Sequence, residues 1–210
     1  MTNTNDMLLL HRTFRREFGR MPDLVRAAAG DTTRSTVVGS HATEMIGILH
    51  VHHHGEDLHL YPLLYERVSF EKELIDRMEK QHSDVSDALD AIESDLPAWT
   101  RTADAATGER IANRIEQMMP TLVEHLAEEE QYVLPIAATA VSQAEWDKMA
   151  EHGLGALAPK RRLVILGHIL ADTSPEEFAE FSAVLPPPVR WLYRLVGKRQ
   201  YRKEIAAIVG

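Results

Sequence analysis

Four long stretches of this chain space their apolar residues at threes and fours, and none alternates them in twos. That period commits each stretch to an amphipathic helix, whose apolar stripe must be covered by other helices. It predicts a first helix over about 6–29 with Asp6 as N-cap, a loop over 30–36, and a second helix to about Val68. SFEKE (69–73) opens a third helix, with Ser69 and Lys72–Glu73 near its cap, which stops near Leu96 ahead of Pro97. A fourth runs from about Ala103 to Val141. Long helices joined by short loops favour an all-α, up-down-up-down four-helix bundle.

Beyond Val141 the texture changes. SQAEWDKMAEHGL (142–154) opens with a Ser-x-x-Glu capping box, and SPEEFAEFSAVL (174–185) opens with another plus Pro at the first helical position. KRRLVILGHILAD (160–172) is an apolar helix candidate between them. Residues 186–210 carry six Lys/Arg against one Glu, opposite in sign to the rest of the chain. The reading is therefore a bundle over 1–152 and a helical extension over 153–210. The tail stripe of Val189, Leu192, Leu195 and Val196, beside Trp191 and Tyr193, suits packing back on the bundle. With its basic charge it also suits a dimer or membrane-surface face.

Composition removes several functions. A length of 210 residues allows one domain with a real core, or a domain plus an extension. A net charge of −9 argues against a general nucleic-acid binder, which needs a basic face. With no cysteine there is no disulfide, thiolate metal site, iron–sulfur ligation or cysteine nucleophile. The apolar run in MTNTNDMLLLHR is too short for a signal sequence, and no segment reaches the ~18 apolar residues of a membrane span. A cytoplasmic protein, monomer or homodimer, is the expectation.

The feature with chemistry in it is a repeat. Residues 52–62 read HHHGEDLHLYP and residues 125–135 read HLAEEEQYVLP, both fitting His-x3-Glu-[Asp/Glu]-x4-Pro. His52 with Glu56, and His125 with Glu129, stand one turn apart on one helix face, a spacing that lets nitrogen and oxygen donors converge on a cation ~2 Å away. At ~100° per residue, Met45, Ile48, Leu49, Gly55, His59 and Leu60 share the arc of His52 and Glu56. Ile111, Ile115, Met118, Leu122, Tyr132 and Val133 share that of His125 and Glu129. His82 lies among Ile75, Met78, Val85 and Leu89, and His11 among Met7, Leu8, Phe14 and Phe18. Two buried glutamates without partners would each cost several kcal/mol. Two divalent cations among four imidazoles and two carboxylates, completed by water or hydroxide, balance that charge. The cupin-like spacing His50-x-His52-x3-Glu56 is set aside because it belongs on β-strands.

The order His11, His52-x3-Glu56, His82, His125-x3-Glu129, with Pro62 and Pro135 after the two pairs, resembles the hemerythrin-like, or HHE cation-binding, family over roughly residues 6–140. The tail resembles extensions of actinobacterial members. The resemblance implies a non-heme di-iron centre, oxo- or hydroxo-bridged, in a four-helix bundle. His11 and His52 would sit on one iron, His82 and His125 on the other, with Glu56 and Glu129 bridging. Oxygen-carrying hemerythrins supply a fifth histidine one turn from the first on the third helix; here those positions are Met78 and Ser86. His59 and Tyr132, each three residues past a glutamate, and His53 at the arc's edge, are candidate replacements. Asp57 and Glu130, directly after the chosen glutamates, leave the carboxylate register open.

An imidazole-rich di-iron site with open coordination suits O2, NO or peroxide. Ferritin-like storage sites use more carboxylates and paired Glu-x-x-His motifs, of which only Glu56-x-x-His59 appears. The expectation is a gas- or peroxide-reactive protein, whether a peroxide- or NO-consuming enzyme or, alternatively, a non-enzymatic iron or oxygen sensor or metal-binding module acting through a partner.

Overall fold

A computed structural model describes residues 1–68 and 72–210. It is all-α, with no strand among the described residues. Helices α1 (Asn5–Ala27), α2 (Thr32–His59), α4 (Lys72–Thr102) and α5 (Ala105–Glu128) form the bundle, each packed against its two neighbours so that α5 closes back on α1. A short helix α3 (Tyr61–Arg67) follows α2, and a π-helical turn (Glu129–Val133) leads from α5 into α6 (Leu134–Ala140). Helix α7 (Gln143–Ala156) lies along α2. The rest of the chain is α8 (Arg162–Ile169), α9 (Pro175–Val184), α10 (Pro187–Leu192), a second π turn (Tyr193–Gly197) and α11 (Lys198–Val209). Among the described residues no helix is long and apolar enough to cross a membrane.

Local chemistry fixes the boundaries, and several differ from expectation. Asp31 caps α2 by accepting from the Thr33 and Arg34 amides at 2.9 and 3.0 Å, so the helix starts inside the predicted loop. Asp6 is not a cap: α1 begins at Asn5, and the Asp6 carboxylate accepts the Trp146 indole N–H at 3.1 Å. Helix α4 passes Pro97 and ends at Thr102. Pro97 is exposed, so the Glu93 carbonyl it leaves without a partner can meet water, while Leu96 and Trp99 on either side hold the helix in the core. Ala103 then takes a positive φ of 51° and its carbonyl accepts from Gly30 at 2.9 Å. The expected opening of the third helix at Ser69 lies outside the described residues.

Both motif prolines stand in the first turn of the helix that follows their motif. Pro62 has no N–H to continue the ladder, and α2 breaks at Leu60, one turn past Glu56. Pro135 follows the π turn, in which the Leu134 amide reaches back five residues to the Glu129 carbonyl.

The apolar interior falls into two main clusters. One holds Phe14, Leu49, Val85 and Leu122; the other holds Met7, Leu60, Met78 and Val133. On every bundle helix the motif residues lie between a member of one cluster and a member of the other, so the polar layer is sealed above and below. Helices α8–α11 dock on α1 and α2 through Arg12 with Glu177, Arg161 with Glu44 and Glu204, and Arg34 with the Ala207 and Ile208 carbonyls.

Candidate metal centre

Seven side chains meet in that layer. His11, His125, Glu56 and Glu129 have no exposure, His53 and His82 are 5 % and 4 % exposed, and the His52 side chain is 4 % exposed. They form two groups whose donor atoms lie within 4.8 Å of one another: His11, His52, Glu56 and Glu129, and His53, Glu56, His82 and His125. Glu56 belongs to both. Its Oε1 is 3.3 Å from His52 Nε2 and its Oε2 is 3.4 Å from His82 Nε2. Glu129 Oε2 lies 3.3 Å from His11 Nε2 and 3.9 Å from His125 Nε2, so it too spans the groups.

The rings are aimed by what holds their outer nitrogens. His11 Nδ1 donates to Glu130 at 3.0 Å, His82 Nδ1 to Asp57 at 2.7 Å, and His125 Nδ1 to the Gln81 amide oxygen at 3.1 Å. Gln81 is oriented in turn by donating to Glu128 at 3.1 Å. A proton on Nδ1 leaves the Nε2 lone pair facing inward, which is how imidazole presents itself to a metal. The inner atoms then have too few partners: Nε2 of His11, His52 and His53, both Glu56 oxygens and Glu129 Oε2 make no hydrogen bond. The His82 and His125 Nε2 atoms lie 3.2 Å apart, so a proton on His82 Nε2 is donated to His125, and without it two lone pairs face one another.

The proton equilibria show the same demand. Burial and the charge of Glu129 push the Glu56 carboxyl up, whereas Glu129 is held down against its burial by the His11 imidazole 3.3 Å away. Burial opposes charge on His11 and His82, yet their carboxylate partners lift them to about 9 and about 10. Burial drives His52 and His53 well below the ordinary histidine value, and His125 to about 4. Protons thus gather where the carboxylates need cations, and the remaining imidazoles stay neutral and free to donate. Five imidazoles and two carboxylates suit a borderline divalent ion such as iron or zinc.

All six residues proposed from the sequence converge here. Of the candidate replacements, only His53 does: its ring stacks on His82 at 4.1 Å and meets His125 edge-on at 5.1 Å. His59 lies outside the layer, its ring 5.5 Å from that of His152. Tyr132 is 44 % exposed, because the π turn adds a residue and rotates it outward while Val133 turns in. The carboxylate register also resolves: Glu56 and Glu129 enter the layer, while Asp57 and Glu130 grip rings from outside, Glu130 shared with Arg15 at 2.6 Å. The residue the sequence did not suggest is Tyr61. Fully buried, it stacks on His82 at 5.3 Å and donates its hydroxyl to Glu129 Oε1 at 3.5 Å. The signal was Pro62, which starts a new helix and turns its predecessor inward.

Among curated proteins and among solved structures nothing matches the chain. The hemerythrin HHE cation-binding domain family, however, matches residues 2–137, a span that contains every member of both donor groups. This protein belongs to the hemerythrin HHE cation-binding family.

Proposed function

We propose that this metal-binding hemerythrin-like protein carries a non-heme di-iron centre that reacts with O2, NO or peroxide. The observation that supports the reading most is the pair of donor groups joined through Glu56, with their inward atoms free of hydrogen bonds. His11 and His52 would hold one ion, His53, His82 and His125 the other, and Glu56 and Glu129 would bridge them. Two iron ions would supply exchangeable electrons and a coordination position for a small ligand. The chain's own residues do the rest. Asp57, Glu130 and Gln81 hold three rings in the required tautomer, and the two apolar clusters keep water from the carboxylates. The Tyr61 hydroxyl keeps a proton directed at Glu129 Oε1, since burial and the nearby carboxylates raise it well above an ordinary phenol. Five imidazoles against two carboxylates favour small-ligand chemistry over iron storage.

The same reading treats residues 153–210 as an extension added to the bundle and places the protein in the cytoplasm. Metal analysis of anaerobically purified protein, with optical spectra before and after O2, NO and peroxide, tests it. Two irons per chain and a spectral change with at least one ligand are expected; fewer than two metals, or a metal other than iron, sinks the di-iron centre. Peroxide turnover lost in Glu129→Ala identifies an enzyme, and ligand binding without turnover identifies a sensor.

A further inference from the structure

The extension packs inward with one face and leaves the other in water. Tyr193, Gly197 and Ile208 are buried against the protein. Between and beyond them on the same helical run Trp191 is 65 % exposed, Leu195 one turn on 56 % and Leu192 41 %. Large apolar side chains grouped in this way mark a contact surface. The chain's other tryptophans, Trp99 and Trp146, are buried at 0 % and 2 %.

The charge around this patch selects its partner. Arg190, Arg194, Lys198, Arg199, Arg202 and Lys203 face only one acid within residues 186–210, Glu204. That carboxylate is already taken by Arg161 at 2.6 Å and His168 at 3.4 Å. None of the six cations forms an ion pair among the described residues, in a chain whose net charge is −9 and whose other 185 residues are more acidic still. A second copy meeting this face symmetrically would set six cations against six. An acidic lipid surface meets them with opposite charge, and tryptophan and leucine suit the headgroup boundary.

We propose that the α10–α11 segment docks the protein on an anionic lipid surface, with Trp191 and Leu195 entering the headgroup boundary and Lys198, Arg199, Arg202 and Lys203 holding lipid phosphates. The docking does not depend on what the metal centre does.

The test mixes the full-length protein with phosphatidylcholine vesicles, with and without phosphatidylglycerol. Cosedimentation is expected only with phosphatidylglycerol, weakening steeply as salt rises. Trp emission should move to shorter wavelength on binding, and because Trp99 and Trp146 are already buried, Trp191→Phe should abolish that shift. At roughly fivefold per cation, K198A/R202A should lower partitioning about thirtyfold, and W191S/L195S should release the protein while its circular dichroism stays unchanged. No binding to either vesicle overturns the proposal. So does equal binding to both that K198A/R202A leaves intact. A concentration-dependent oligomer lost in W191S/L195S, without vesicle binding, overturns it in favour of a contact between copies.

Discussion

Glu17→Gln tests how the C-terminal helices are held on the bundle. Glu17 is fully buried on α1. Its carboxylate accepts from His41 Nε2 at 2.8 Å, His168 Nδ1 at 3.0 Å and Arg16 Nε at 3.0 Å, and also from Arg20. His168 comes from α8, so this carboxylate ties α1 and α2 to the C-terminal helices at one point. Glutamine keeps the shape but has one acceptor oxygen, and its amide would point N–H groups at donors. Removing one side of a buried ionic network costs about 3–5 kcal/mol, which for a chain of this size lowers Tm by about 6–20 °C at ~2–4 °C per kcal/mol. The loss should depend on pH. Burial opposes ionisation of Glu17, but the His168 and His41 hydrogen bonds win and hold it far below the carboxylate range. Its contribution is therefore present above ~4.5 and fades as pH falls. Burial opposes the charge on His168, but the Glu17 bond raises its pKa, so that contribution is complete below ~6.5 and fades as pH rises. Thermal unfolding of the two proteins from acid to alkaline pH should show the largest gap between about pH 4.5 and 6.5. A gap below ~1 kcal/mol, or one that does not change with pH, would refute the reasoning.

Other perturbations address the metal layer and the packing of the C-terminal helices. His53→Ala removes one of three imidazoles from its group; if the centre holds two irons as proposed, iron bound per chain after dialysis should fall from two toward one, and two retained ions would exclude His53 as a ligand. Asp57→Asn loosens the grip on His82 Nδ1 at 2.7 Å and should weaken metal binding about 10–100-fold in a competition titration. Tyr61→Phe, but not Tyr132→Phe, should alter the optical spectrum of the iron-loaded protein, since only the Tyr61 phenol reaches the layer. Gly167→Ala would place a methyl 2.5 Å from Tyr201 Cβ and 2.6 Å from its Cγ, forcing α8 from α11. A cost of about 1–3 kcal/mol is expected, with faster amide exchange in α11; unchanged exchange would show that the helices adjust without separating.

Much of the bundle was legible because helical period and apolar spacing are properties of single segments. Each long stretch needed only its own stripe to be recognised, and the alternating topology followed from short connections. The boundaries were less legible because they depend on partners from elsewhere. Pro97 reads as a stop, yet whether a proline ends a helix depends on whether the carbonyl it orphans can reach water and whether its flanks are buried. Asp6 reads as a cap, but Trp146, 140 residues away in sequence, takes its carboxylate. Helices α7 and α9 announced themselves by their capping boxes, whereas the anchor of the C-terminal helices did not. Glu17 and His168 look like ordinary polar residues until the fold places them 3.0 Å apart.

The metal layer divides along the same line. His11, His52, Glu56, His82, His125 and Glu129 were recoverable because each sits in the apolar stripe of its own helix. His53 was harder, because a wheel centred on His52 puts it at the edge. Its ring enters because α2 needs to present both neighbours: His52 to Glu56, and His53 to His82 and His125. On α4 the position one turn before His82 holds Met78, which is fully buried in the apolar cluster. The second group therefore takes its third imidazole from α2, where His53 stacks on His82, and not from a second histidine on α4. Tyr132 fails for a complementary reason. A helical wheel assumes a constant 3.6 residues per turn, and the π turn at Glu129–Val133 breaks that assumption from the donor onward. The turn keeps Glu129 inside while sending Tyr132 out, so the phenol beside Glu129 is Tyr61, from the other copy of the motif.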